Sequence, residues 1–290
     1  MAKIGIIGAS GFVGRHLASM AHGDGHGVVL FSRTPRPGYQ VLGDDLSSSF
    51  ESLDAVVNLA GEPVLGLWTA AKRRRILESR IGGTRRVVDA LLKLANPPLL
   101  INASAIGYYG DTGEKTVDES SPAGTGFLAD TCQAWECEAL RASGGGIRTV
   151  MIRIGFVIGD GGAMRLVLPV FRAGAGGPLG SGRQWMSCIH VEDVAGMILW
   201  SALSATVQGP VNAVMPAPVR NSEFTKTLAE TVRRPAFLPA PAFALRSLLG
   251  DLSAVMLDSA RVVPAVAVRE GYRYRYPDIG SAFQSLVSPK

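Results

Sequence analysis

Short apolar runs alternate with amphipathic stretches through the first half of the chain. Ile4 to Ile7, Val28 to Phe31, Ala55 to Ala60, Leu99 to Ile101 and Thr149 to Ile152 each read as a short buried strand. Between them Val13, Leu17, Met20 and Ala21 recur at helical spacing. A long amphipathic segment runs from Trp68 to Ala95, where Pro97-Pro98 stops it, and Gly126 to Ala142 is helical. Apolar strands that alternate with amphipathic helices predict a parallel sheet covered on both faces. With right-handed crossovers this is an α/β, Rossmann doubly wound fold.

After Gly155 the texture changes. Glycine-rich loops follow at Gly159 to Gly162 and Gly174 to Gly182, then Ile189 to Ser201 returns to the helical pattern. Short helices, prolines and the aromatic tail Tyr272-Arg273-Tyr274-Arg275-Tyr276 fill the remainder. The reading is a Rossmann core over residues 1–160, with 186–210 returning to it. A smaller C-terminal α/β lobe on the substrate side takes 161–185 and 211–290.

The strongest motif follows the first strand. Gly8-Ala9-Ser10-Gly11-Phe12-Val13-Gly14 is a G-x-x-G-x-x-G set with a strand before it and a helix after it. Gly8 permits the turn, Gly11 lets the backbone approach a pyrophosphate, and Gly14 lets helix and strand pack closely. The amides of Ser10, Phe12 and Val13 then face anionic phosphates at a helix N-terminus. At the end of the second strand, NAD binding calls for an acidic residue. This chain has Ser32-Arg33, with Arg36 nearby. A guanidinium attracts a 2′-phosphate, so NADP(H) is favoured, with NAD as the alternative.

Composition narrows the classes. The net charge is +5, and the one dense basic run, Lys72 to Arg75, lies within a helix where a solvated face explains it. No basic strip with interleaved aromatics points to nucleic acid. No apolar stretch reaches the length of a membrane span. The three cysteines include no C-x-x-C pair, which argues against a disulfide framework or a zinc site and suits a reducing cytoplasm. H-E-x-x-H and G-x-S-x-G are both absent, so no metal is expected and serine hydrolysis has no support.

These residues, with Asn58-Leu59-Ala60-Gly61, resemble the extended short-chain dehydrogenase/reductase superfamily. Gly61-Glu62-Pro63, Ser79-Arg80-Ile81, Ser104 to Gly110, Trp135-Glu136, Gly180 to Gln184 and Ile189 to Asp193 are similar to its atypical epimerase/dehydratase branch, SulA-related and carrying a C-terminal extension. The resemblance covers nearly the whole chain. It implies that Leu59, Ala60 and Gly61 line the cofactor and that Ser104 falls at the superfamily's catalytic serine. Ile154-Gly155 would meet the nicotinamide end.

The usual chemistry of that superfamily pairs a tyrosine with a lysine four residues on, which lowers the tyrosine pKa. No tyrosine here has such a lysine. Alignment on Trp135-Glu136 puts Leu128 and Cys132 at those two positions, and leucine cannot donate a proton. Three readings follow. Tyr108 or Tyr109 replaces the missing tyrosine beside Ser104; a water or substrate group supplies the proton; or the protein senses its cofactor without turnover. On the substrate side, Arg80, Arg183 and Gln184 are candidates, the last two to hold a phosphate or carboxylate beside a mobile glycine loop. The substrate is expected to be a small polar molecule. His190 with Asp193 reads as structural support beside the cleft.

Overall fold

The computed structural model describes residues 1–287. Residues 288–290 of the expected C-terminal lobe lie outside the described residues. The chain begins with β1 (Lys3–Ile7), α1 (Phe12–Gly23), β2 (Gly27–Ser32), β3 (Gln40–Val41), α2 (Ser47–Phe50), β4 (Ala55–Asn58) and α3 (Ala70–Leu91). β5 (Leu99–Ala105) follows, running into a 3-10 turn at Ile106–Tyr109, then β6 (Thr116–Val117), α4 (Phe127–Gly144), β7 (Thr149–Ile154) and β8 (Phe156–Ile158). Next come α5 (Met164–Arg172), β9 (Trp185–Met186), β10 (Cys188–His190), α6 (Val191–Leu203), β11 (Gly209–Ala213), β12 (Val219–Arg220) and α7 (Asn221–Val232). The C-terminal extension holds α8 (Ala242–Leu249), a 3-10 turn at Gly250–Ser253, α9 (Ala254–Leu257), β13 (Arg261–Val262), α10 (Ala265–Arg269) and α11 (Ile279–Gln284).

The central sheet has the order β11-β7-β5-β4-β1-β2-β3. Every pairing in it is parallel. Side chains alternate between its faces, and each face meets helices, which is why the strands are mainly apolar. Ile4, Ile6, Ile101 and Ile152 pack with Leu17 of α1 and Val194 and Ile198 of α6. Ile7, Val56, Leu100 and Met151 pack the other way, with Val88 and Leu91 of α3 and Ala139 of α4. β1 has β2 on one side and β4 on the other, so the chain order reverses there. Such a reversal opens a crevice at the C-terminal strand ends, where α/β proteins place their ligands.

The expected long helix is shorter than the periodicity suggested. Thr69 accepts a hydrogen bond from Lys72 N at 3.2 Å and fixes the start of α3. A side-chain acceptor at that position satisfies one of the free amides of the first turn.

The expected division of the chain shifts in two places. β11 pairs with β7, so the central sheet extends past the boundary set at residue 210. The tail also returns to the core: Ala267, Tyr272 and Tyr274 join the apolar cluster of α1 and α6. A separate cluster belongs to α5, α7 and α11, with Met164, Phe171, Phe224, Leu228 and Phe283 at its centre. No helix among the described residues is long and apolar enough to cross a membrane.

One carboxylate fastens the tail. Asp193, fully buried in the first turn of α6, accepts from Arg275 N at 2.8 Å, Tyr276 N at 2.9 Å and Tyr272 Oη at 3.2 Å. Gly196, one turn on, leaves room for that phenol: a Cβ there would lie 2.4 Å from Tyr272 Oη. His190 caps the same helix, its Nδ1 accepting from Glu192 N at 3.3 Å while Nε2 lies 3.0 Å from Ser285 Oγ. Burial pushes the His190 pKa down to about 4, with His16 adding to this and Glu192 and Asp160 opposing it.

Asp193→Ala leaves two backbone amides without their acceptor, while the Tyr272 phenol keeps only the Asp193 carbonyl, at 3.2 Å. It should cost about 2–4 kcal/mol in urea denaturation and expose the tail to proteolysis. The depressed His190 pKa means that the neutral imidazole stabilises the fold: the contribution is whole above the ordinary value of 6.5 and is lost as pH falls through about 4. Melting temperatures across that interval should fall less in His190→Asn, which keeps a cap acceptor but does not titrate. An unchanged slope would refute this.

Candidate functional site

The site starts at the corner between β1 and α1. Gly8 has φ +83°, and a Cβ there would lie 2.8 Å from the Leu59 carbonyl carbon. A Cβ on Gly14 would lie 2.4 Å from Gly8 O and 2.7 Å from Ala9 Cα. Neither position tolerates a side chain, because three backbone segments meet there. Gly11 differs: its Cβ would meet only Gly8 O, at 3.1 Å, and its remaining surroundings are open. Gly11 N donates to Gly8 O at 2.9 Å and closes the turn. No side chain caps α1, so its first amides are available to an anion. This is a cradle shaped for a diphosphate. Phe12 contributes packing: its ring lies where side chains on Gly159 and Gly161 would stand, at 2.7 and 2.3 Å. His16 meets the same ring edge-on and reaches Asp160 at 3.1 Å. The glycines of 159–162 are therefore glycines because Phe12 occupies their side-chain space. Val13 is half-buried behind this corner.

At the end of β2, Ser32 Oγ donates to Thr34 O at 2.7 Å and shapes the turn. Arg33 and Arg36 are exposed just beyond it. Arg36 lies over the Tyr39 ring at 5.4 Å, while Arg33 forms no ion pair among the described residues.

Beneath the ends of β4 and β5 lies a buried polar layer. Asn58 Nδ2 donates to Asn102 Oδ1 at 2.8 Å and to Thr84 Oγ1 at 3.1 Å. Trp135 Nε1 donates to Thr84 Oγ1 at 2.8 Å. Asn58 Oδ1 accepts from Ala60 N at 3.3 Å, so this network sets the path of Leu59-Ala60-Gly61. Arg80 supports the same loop from below. It donates to Glu62 O at 3.0 Å and lies 5.1 Å from the Trp135 ring, and burial lowers its pKa. Its guanidinium carbon would be 3.4 Å from a Cβ on Gly61. Arg80 thus shapes the loop.

The three catalytic candidates separate. Ser104 is buried and donates to Glu136 Oε1 at 2.6 Å. Glu136 also holds Arg153 by two bonds, of 2.8 and 2.7 Å. Arg153 donates to Tyr109 Oη at 2.8 Å, and Tyr109 donates to Asn212 Oδ1 at 2.8 Å. Burial pushes the Tyr109 pKa up to about 12, and Arg153 partly offsets this. Burial also opposes the Arg153 charge, but the bonds and charge of Glu136 more than offset it, so its pKa rises. Ser104 and Tyr109 are therefore members of an internal charged network. Tyr108 stays half-buried at the end of β5, its ring face 3.5 Å from the Arg153 guanidinium carbon. Of the three, only Tyr108 keeps exposed surface.

Leu128 and Cys132 line the facing side of α4. A Cβ on Gly107 would lie 3.3 Å from Leu128 Cβ and 3.9 Å from Cys132 Sγ. Burial, and Glu136 after it, pushes the Cys132 thiol up to about 12, against the pull of Arg80. It stays protonated and is no nucleophile.

Ile154 and Gly155 join β7 to β8, and a Cβ on Gly155 would lie 2.4 Å from Ser187 O. Gln184 is buried, and its amide donates to Leu179 O at 3.0 Å and to Met256 O at 3.1 Å, tying the glycine loop to the extension. Arg183 is exposed, its carbonyl accepting from Arg220. Among the described residues no group of His, Cys, Asp and Glu is arranged to hold a metal.

The sequence reading missed Arg153 and Asn102. Arg153 left one signal. An arginine within the apolar run Val150-Met151-Ile152-Arg153-Ile154 must be buried, and a buried cation needs a counter-ion. Its partner, on another helix, was not legible.

A model of the "NAD dependent epimerase/dehydratase family" matches residues 4–214, and one of the domain of unknown function DUF1731 matches 240–286. The chain is 37% identical to epimerase family protein YfhF of Bacillus subtilis, over 99% of each chain. It is 35% identical to human epimerase family protein SDR39U1, over 97% of this chain and 98% of that one. The crystal structure of the human protein (isoform 2) with NADPH superposes with a TM-score of 0.92, at 34% identity and 98% coverage of both chains. The nucleoside-diphosphate sugar epimerase of Corynebacterium glutamicum gives a TM-score of 0.81 at 31% identity, covering 97% of this chain and 57% of that one. By its glycine corner, its sheet order and these matches along its whole length, the chain belongs to the NAD dependent epimerase/dehydratase family.

Proposed function

We propose that this chain binds NADP(H) across the β1–α1 corner and acts as an epimerase/dehydratase-like oxidoreductase on a small molecule, without a Tyr-x-x-x-Lys pair. The observation that carries the reading is the uncapped helix behind a corner where Gly8 and Gly14 admit no side chain and Gly11 faces open space. The amides of the first turn of α1 would hold the diphosphate. Arg33 would pair with the 2′-phosphate, Arg36 would lie beside it, and Leu59 to Gly61 would border the nicotinamide ribose. The human relative crystallised with NADPH supports the phosphorylated form over NAD. Bound there, the nicotinamide supplies hydride transfer at an alcohol or carbonyl carbon.

Tyr108 is the residue best placed to move the proton that accompanies that transfer. It stands at the C-terminal end of β5, the edge where ligands meet such sheets. Arg153 holds its ring in place from behind. Ser104 and Tyr109 act behind it, through Glu136 and Arg153. A second reading is a cofactor-dependent sensor without turnover. The side chains of Leu128 and Cys132 favour it, since neither can serve as acid or base where they stand.

Replacing Arg33 with Asp should weaken NADPH by at least ~10-fold and leave NADH nearly unaffected, because one charge-assisted pair is lost and one repulsion gained. Equilibrium titration of both nucleotides measures this, and unchanged NADPH affinity would remove the 2′-phosphate assignment. A carbonyl-substrate screen under NADPH separates the two readings. Turnover that Tyr108→Phe lowers by about 100-fold or more at unchanged NADPH affinity supports the enzyme. Absence of NADPH oxidation throughout the screen supports the sensor.

A further inference from the structure

Beyond Tyr108 the wall of the crevice continues as an apolar surface. Leu128 covers Gly107, and its neighbour Phe127 meets the Trp68 ring edge-on with centroids 5.1 Å apart. Arg73, from the first turn of α3, lies over both rings, 5.1 Å from Phe127 and 6.0 Å from Trp68. Leu65 and Leu67 are exposed on the loop that carries Trp68.

The polar groups on the α3 side of this wall are already engaged. Trp68 Nε1 donates to Val64 O at 2.8 Å. Thr69 caps α3, and Lys72 Nζ donates to Glu62 at 2.8 Å. A sugar laid on these two rings would bring hydroxyls against apolar carbon, and an unpaired polar group costs binding energy. An apolar or aromatic body would instead meet ring edges and methyl groups. Arg73 is the exception to this closed accounting of hydrogen bonds. Its counter-ion is Asp251 of the C-terminal extension, a carboxylate that is 65% exposed. An exposed surface pair contributes little stability, so an incoming anion can exchange for it.

We propose that Trp68, Phe127, Leu128 and Arg73 form the substrate subsite for a small molecule with an aromatic or apolar body and one carboxylate, and that this carboxylate takes the place of Asp251 on Arg73. The subsite rests on the crevice being the ligand site described above, and it narrows the substrate away from the polar molecule that the sequence suggested. Aromatic surface and a guanidinium together are a frequent recognition pair for such ligands. The exchange also links ligand entry to the extension: releasing Asp251 removes an ion pair between the 3-10 turn at Gly250–Ser253 and α3.

Calorimetric titration of the full chain with 2-naphthoate, 2-naphthamide and UDP-glucose tests this, each with and without saturating NADPH. The naphthoate should bind about tenfold more tightly than the amide, the worth of one charge-assisted contact. UDP-glucose should bind more weakly than either. Arg73→Gln should erase the preference for carboxylate over amide, Arg73→Lys should restore part of it, and Trp68→Ala should weaken both naphthyl probes alike. Asp251→Asn should tighten the naphthoate by about threefold by removing the competing carboxylate. NADPH affinity, measured on every variant, should stay at the wild-type value and shows that each is folded. Equal affinity for naphthoate and naphthamide, tighter binding of UDP-glucose, or no binding by any probe would overturn the proposal. Failure of wild-type protein to bind NADPH would overturn the cofactor reading alone, because the titrations without NADPH still report on the subsite.

Discussion

The whole architecture turns on a place where no side chain fits. At Gly8 and Gly14 the end of β1, the start of α1 and the strand-end peptide of Leu59 approach within contact distance. Any Cβ there would push the helix from the sheet, and with it the amides that face the crevice. The same economy of space recurs one layer out, where Phe12 fills the room left by the glycines of 159–162. Close backbone approach, rather than flexibility, is what these glycines supply.

Behind that corner the protein holds its charges in pairs. The Glu136–Arg153 ion pair is buried on both sides, and it has enough hydrogen-bond partners to be tolerated there: Ser104 and Tyr109 take up the remaining valences. A buried pair of this kind is weak evidence for stability but fixes geometry well once all its groups are satisfied. Its geometric product is the position of the Tyr108 ring, 3.5 Å from the guanidinium carbon. The network of Asn58, Thr84, Asn102 and Trp135 does the same for the loop at Leu59 to Gly61. Two polar layers, both invisible from the surface, thus position the two sides of the crevice.

The C-terminal extension is bound to the core at several separated points. Asp193 clamps the tyrosine-arginine tail, Gln184 joins the glycine loop to Met256, and Arg73 meets Asp251. The first two involve buried side chains, while the third is an exposed pair. α9 is thus held through Met256, the turn before it meets α3 through an exposed pair, and the tail is part of the Rossmann core.

The sequence by itself determined the fold class, the cofactor corner and the absence of the Tyr/Lys pair. These are local properties: apolar runs, a glycine spacing after a strand, and a residue four positions along one helix. Only the tertiary structure decided which polar residues reach the crevice. Ser104, Tyr109, Arg80 and Gln184 all looked available in the chain, and each is engaged by a partner remote in sequence, namely Glu136, Asn212, Glu62 and Met256. The extent of the central sheet and the docking of the tail were also beyond reach of the sequence, since β11 and Asp193 acquire their roles through contacts across 55 or more residues. Local pattern sets what an element is, but a side chain's function depends on what the folded chain brings beside it, and that neighbour is written elsewhere in the sequence.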